Sequence, residues 1–299
     1  MAYLQLPQVE DFPLIYNHLI SGAMLGIFIR LIIDPNYFYN IINSTSEDTF
    51  GLLVIKQLIW WSLYLESTPS AWEMWLSKCN FWHRYTGKTT REGALIHHEI
   101  RDGFMVFVQH FTSAATIIYG YYINNVAFIK FGATAEIAFE INDTITIITN
   151  SSRNKNKPFL IKTILLLHHS LGLISLPIFI YFSDFDNIQV QLISLMTSGA
   201  VLCLTLPVQY IPNIKTKSGA MTSFIIHSAH LLEFAYLRWY IGFGNNEYRD
   251  LVNNIDNNSI AFYPFVFAII CLILFNAIVS VIFVERCGRS MINYLNIRE

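Results

Sequence analysis

The sequence predicts an all-α fold, a polytopic transmembrane helical bundle of about eight spans. Three observations carry that reading. Of 299 residues, 54% are hydrophobic and only 13% charged, whereas soluble domains carry about 25% charged residues. Apolar runs close to the roughly 20 residues that a bilayer span requires recur along the whole chain. The polar loops between them alternate in the sign of their charge.

The runs cover residues 18–33, 50–66, 93–123, 126–150, 159–182, 188–211, 220–243 and 259–284. The first two are short, and the last carries no charge from Ile260 to Val284. The first run is followed by Asp34, Glu47 and Asp48, and the second by Lys78, Arg84, Lys88 and Arg91. Run three ends in Asn124-Asn125 and run four in Arg153, Lys155 and Lys157. Asp184 and Asp186 follow run five, Lys215 and Lys217 run six, and Glu247, Asp250 and Asp256 run seven. The positive-inside rule then places both termini on the cytoplasmic or matrix side. An even number of spans preserves the alternation. The chain divides into residues 1–90 with two spans, a helical core at 91–243, and a final span with a basic tail at 244–299.

The longest break between runs covers residues 67–90. Ser70 and Glu73 make the S-x-x-E pattern of a capping box. Trp72, Trp75, Leu76, Cys79 and Trp82 recur at helical spacing behind it. This predicts an amphipathic helix in the interface, with Trp at headgroup depth. Lys78, Arg84, Lys88 and Arg91 add the positive charge that an anionic lipid headgroup requires. A structural phospholipid such as cardiolipin is expected there. Ordinary interfacial anchoring explains the same residues.

The polar residues inside the runs are the candidate site. Glu136, Glu140 and Asp143 stand at i, i+4 and i+7, one face of a helix. Charge at membrane depth is costly and usually faces a bundle interior or a wet cavity. The next run carries His168 and His169 side by side, and His227, His230, Glu233 and Arg238 lie along the seventh. The carboxylates have Lys130, Lys162, Arg238 and the histidines as prospective partners, in which case the residues form a buried polar core that fixes helix order. His110, alone and deep in run three, is expected to be a hydrogen-bonded core residue. An H-x-x-H turn beside a glutamate is a weak metal signal, and the Glu-x-x-His pairs of di-iron bundles are absent. No metal and no cofactor are expected. The four cysteines are scattered without a C-x-x-C pair and read as reduced apolar fillers. The net charge of -2 argues against nucleic acid.

The order of motifs from Arg91 to Phe243 resembles a known family. Gly93-Ala-Leu-Ile-His97 comes first, then Glu140-Ile-Asn-Asp143, then Leu165-Leu-Leu-His168-His169-Ser-Leu-Gly172. Leu206-Pro207 and Tyr236-Leu-Arg238-Trp follow. This resembles the TLC domain of ceramide synthases, the translocon-associated TRAM protein and lipid-handling relatives, over about half the chain. The resemblance implies a core of six helices around a lipid-accessible cavity, with His168 and His169 inside it. The H-D-x-x-D motif that ceramide synthases carry on the next span is missing, since residues 188–209 contain no Asp, Glu or His.

Three functions are therefore weighed. With its short loops and broken motif, the chain reads first as a non-catalytic accessory subunit of a large membrane complex. Its partners are lipids and other membrane subunits, in a respiratory-type assembly of the mitochondrial inner membrane. The N-terminal MAYLQLPQVEDF has neither a basic n-region nor an Arg-rich helix, so insertion by internal spans is expected. The alternative is a lipid enzyme or carrier of the endoplasmic reticulum, transferring an acyl group with His168 or His169 as base and Asp143 or Glu140 as the acidic partner. There the sequons Asn43-Ser-Thr45 and Asn257-Asn-Ser259 become glycosylation sites. The third is a transporter or proton path through Glu136, Glu140 and Asp143.

Overall fold

The computed structural model describes residues 11–36, 49–86, 91–149, 157, 159–182, 185–244 and 262–297. Both sequons, Lys88, and the acidic and basic loops at 37–48, 150–156 and 245–261 lie outside the described residues, as does the side chain of Arg91.

The described residues are helical and contain no strand. The helices are α1 Asp11–Ile33, α2 Phe50–Ser67, α3 Pro69–Leu76, α4 Asn80–Thr86, α5 Arg91–Tyr122 and α6 Val126–Ile148. They continue with α7 Phe159–Phe182, α8 Phe185–Val208, α9 Lys217–Phe234 and α10 Phe262–Asn296. A π-helical stretch, Ala235–Ile241, extends α9. Each of the eight apolar runs falls on one of the eight helices that have 18 residues or more.

Among the described residues, three helices are long and apolar enough to cross a membrane: Pro13–Ile33, Phe159–Pro177, and Phe262–Asn296 with a mean hydropathy of 2.9. The lower hydropathy of α5 and α6 has a plain source. The first carries His97, His98, Glu99, Arg101 and Asp102, and the second Lys130, Glu136, Glu140 and Asp143.

Helix contacts run in a closed cycle. α5 packs on α6, α6 on α7, α7 on α10, α10 on α9, α9 on α8, and α8 back on α5. Small residues set the closest approaches. A Cβ at Gly132 of α6 would meet the Ser113 carbonyl of α5 at 2.6 Å, and one at Gly103 would meet Pro207 of α8 at 2.8 Å. α2 packs outside the cycle on α6, and α1 packs on α2, α3 and α5. Trp60, Trp61, Tyr64, Trp72, Phe104 and Phe131 fill the seam between these outer helices and the cycle. Burial of such large side chains, at roughly 25 cal/mol per Å² of apolar area, joins the two parts.

The interfacial helix expected at 67–90 differs in three ways. It is two helices, broken at Ser77–Cys79, because Asp11 at the start of α1 caps α4. The Asp11 carboxylate accepts the Asn80 N–H at 2.8 Å and the Phe81 N–H at 3.0 Å. The Ser70–Glu73 capping box does not form: α3 starts at Pro69 behind Thr68, and Glu73 instead reaches Arg101 of α5 at 2.6 Å. The tryptophans turn inward as well. Trp72 is 1% exposed, stacks on Phe104 and donates its indole N–H to the Tyr64 hydroxyl at 3.2 Å. Trp82 is buried and stacks on His97 with ring centroids 4.1 Å apart. Trp75 is half-buried against His18. A headgroup surface of Trp72, Trp75 and Trp82 is therefore replaced by a protein seam, since α1 and α5 cover that face. Lys78 remains exposed beside Met74, while Arg84 donates to the Ile211 carbonyl.

Candidate functional site

The carboxylate stripe lies on the buried face of α6. Residues 131–140 are buried without interruption, so this stretch of α6 is covered on every side. Glu136, Glu140 and Asp143 are all buried. They share a face, yet Glu136 has a different partner from the other two.

Glu136 turns to α5. His110 Nδ1 lies 2.9 Å from Glu136 Oε2, and the Gln109 amide donates to the same oxygen at 3.5 Å and to the Ala135 carbonyl at 3.1 Å. His110 packs edge-on against Phe139 and lies beside Cys203 of α8. Glu140 and Asp143 turn to α7. His169 Nε2 sits 3.4 Å from Glu140 Oε2 and 3.3 Å from Asp143 Oδ2, one imidazole between two carboxylates. His168 Nε2 lies 3.6 Å from the other oxygen of Glu140. Its ring stacks on Phe275 of α10 at 4.5 Å, and its Nδ1 has no hydrogen-bond partner among the described residues. The His168 side chain is 23% exposed, against 3% for His169.

Gly172 makes this approach possible. One turn beyond His168, a Cβ there would stand 3.0 Å from Glu140 Cγ. Glu140 crosses the α6–α7 seam where α7 presents backbone rather than a side chain.

The residues of the seventh run form a different group, between α8, α9 and α10. His227 Nδ1 lies 3.2 Å from Ser290 Oγ of α10, and His230 Nδ1 lies 2.7 Å from Thr205 Oγ1 of α8. Glu233 Oε2 is 3.9 Å from His230 Nδ1. Arg238 is buried in the π-helical turn, where its Nη2 donates to the Leu195 carbonyl at 3.1 Å. The wider turn also leaves the Leu237 carbonyl available to the Ser194 hydroxyl. π-Turns occur often at functional sites, and this one joins α9 to α8 through polar contacts.

Two buried polar residues of this region were not singled out from the sequence. Gln109 stands beside His110 and had no periodic signal. Asn276 is fully buried on α10, and neither end of its amide has a partner among the described residues. A lone Asn in an otherwise apolar run is its signal.

Chemically, the α6–α7 group is a set of imidazole–carboxylate pairs, the arrangement used for proton transfer and equally for locking buried charge. No group of three or more His, Cys, Asp or Glu side chains among the described residues is arranged to hold a metal ion. The described cysteines are free, with Cys79, Cys203 and Cys271 buried. No protein-family model, curated protein or solved structure matches the chain.

Proposed function

We propose that this chain is an eight-span integral membrane protein with a TLC-like six-helix core, acting as a non-catalytic accessory subunit of a larger membrane assembly. One observation carries the reading: every carboxylate of the α6 stripe meets an imidazole from a neighbouring helix of the cycle. Polar pairing of this kind holds helices in register, and removing one partner leaves the other buried and unsatisfied at about 1–3 kcal/mol. The closed cycle of α5 to α10 supports a core of six helices, although its sixth member, α10, lies beyond the residues 91–243 expected to form that core. The outer faces of α1 and α10, with Met24, Phe28, Phe267 and Val281 exposed, offer apolar surface to lipid or to other subunits.

Extraction in mild detergent followed by native size analysis tests the subunit reading. A stoichiometric complex is expected, and a solitary protein carrying acyl lipid would overturn it. The compartment is read by glycosidase treatment of the cellular protein. The mitochondrial placement predicts no mass shift, and a shift at Asn43 or Asn257 assigns the chain to the reticulum.

A second reading rests on His168. Its partial exposure and its unpartnered Nδ1, opposite a nitrogen facing Glu140, are what a general base for acyl transfer needs. Under it, His168→Ala abolishes transfer of an acyl group from a thioester to a lipid amine while leaving thermal stability near that of the parent. Under the accessory reading no such transfer is detected in either protein.

A further inference from the structure

We propose that the seam between α5 and α8 binds one acyl chain of a phospholipid from the leaflet at the Asn124-Asn125 end. A groove of about 600 Å³ follows this seam on the outside of the helix cycle. On α5 its wall runs from Phe107 through Phe111 and Ala115 to Tyr119 and Tyr122. On α8 the facing side is Ala200, Val201 and Leu204, and Thr197 is its one polar side chain apart from the two tyrosines.

The groove has a closed end and an open end. Towards the start of α5 the two helices meet at Gly103 and Pro207, too close for even one added Cβ. Towards the end of α5 the small side chains of Ala114, Ala115 and Ala200 leave the gap that aromatic rings flank. Phe111 is 55% exposed and Tyr122 84%. Tyrosines of this kind sit at the membrane interface, and Asn124-Asn125 beyond them begin a polar turn.

The dimensions choose the occupant. From Phe107 to Tyr122 a helix rises about 22 Å, close to half of the roughly 40–45 Å of a bilayer with its headgroups. Spreading about 600 Å³ over that length leaves a cross-section of about 27 Å², whereas a helix about 10 Å across occupies about 80 Å². A helix would lie across such a groove rather than within it, whereas a single extended hydrocarbon chain lies within it. The lining offers it no charge. The closed end also lies near the polar core: His110, between Phe107 and Phe111 in sequence, faces Glu136 and Cys203 on the other side of the seam.

The proposal rests on the reading that α5 and α8 cross the membrane. It is tested with the full-length protein in nanodiscs of phosphatidylcholine bearing a diazirine midway along one acyl chain. After irradiation, peptides are mapped by mass spectrometry. Adducts are expected on residues 107–122 and 197–204. Ala115→Trp, which fills the groove, should abolish them while adducts on the outer faces of α1 and α10 persist. Phe111→Ala, which widens it, should increase them and guards against a filled variant that fails to fold. Equal labelling of all exposed faces, or labelling that Ala115→Trp leaves unchanged, means ordinary annular lipid and overturns the proposal. Release of the protein from membranes by alkaline carbonate, with no adduct anywhere, instead sinks the membrane reading on which the proposal rests.

Discussion

At the residue scale, Gly172 and Cys79 show how burial sets what a side chain can do. Glu140 reaches His168 and His169 only because α7 has no side chain at Gly172. Gly172→Ala requires a small retreat of Glu140. Gly172→Val adds two further methyl groups and should displace the carboxylate, at a cost of about 1–3 kcal/mol for overpacking. Thermal unfolding in detergent should show the valine variant melting well below the alanine one. Equal melting temperatures would mean that the Glu140 contacts contribute little. Cys79, in the turn between α3 and α4, is fully buried. Burial first, and then the Asp11 carboxylate beside it, push its thiol from 9.0 to about 12. The folded protein therefore holds the proton that the unfolded chain releases. Between pH 9 and pH 12 the unfolded state binds fewer protons, so stability is unaffected by this group below pH 9 and falls as pH rises through that window. Cys79→Ser should flatten that alkaline loss in a melting series. In the native protein at pH 8, maleimide should label the more accessible Cys287 and leave Cys79 unmodified.

At the element scale, the break between α3 and α4 is governed by a residue far away in sequence. The first N–H groups of a helix have no partner within it, and Asp11 supplies both oxygens to Asn80 and Phe81 from 69 and 70 residues away. Asp11→Ala leaves the buried Phe81 N–H without an acceptor, which costs about 1–3 kcal/mol, and the part-buried Asn80 N–H adds less. Asp11→Asn retains one acceptor and should lose less. Hydrogen exchange is the direct readout: the amides of Asn80 and Phe81 should exchange faster in the alanine variant, with those of α6 unchanged. The spacing of Trp72, Trp75 and Trp82 made one amphipathic helix legible in the sequence, but not this break, because the cap comes from another part of the chain. The inward turn of Trp72 was hidden for the same reason. Its place is set by Gly22 of α1, where an added Cβ would stand 2.3 Å from the indole ring, and nothing near Trp72 in sequence announces that neighbour.

At the scale of the whole molecule, the positions of the eight long helices were legible because apolar runs are local. The stripe on α6 was legible because i, i+4, i+7 is a property of one helix. Which histidine each carboxylate meets was not, since it depends on the order in which helices close into a cycle. Glu136 faces back to α5 and Glu140 forward to α7, although one turn separates them. Among the described residues three helices are long and apolar enough to cross a membrane, where the loop charges point to eight crossings. A helix lined on one face by partnered polar residues has a low mean hydropathy wherever it sits. The two counts differ in parity, and parity is measurable. Three crossings put the chain termini on opposite sides of the membrane, whereas eight put them on the same side. Short epitope tags at each end, probed in intact and in permeabilised vesicles, should therefore become accessible together, on the cytoplasmic or matrix side that the basic loops identify. Tags that respond separately would restrict the crossings to an odd number.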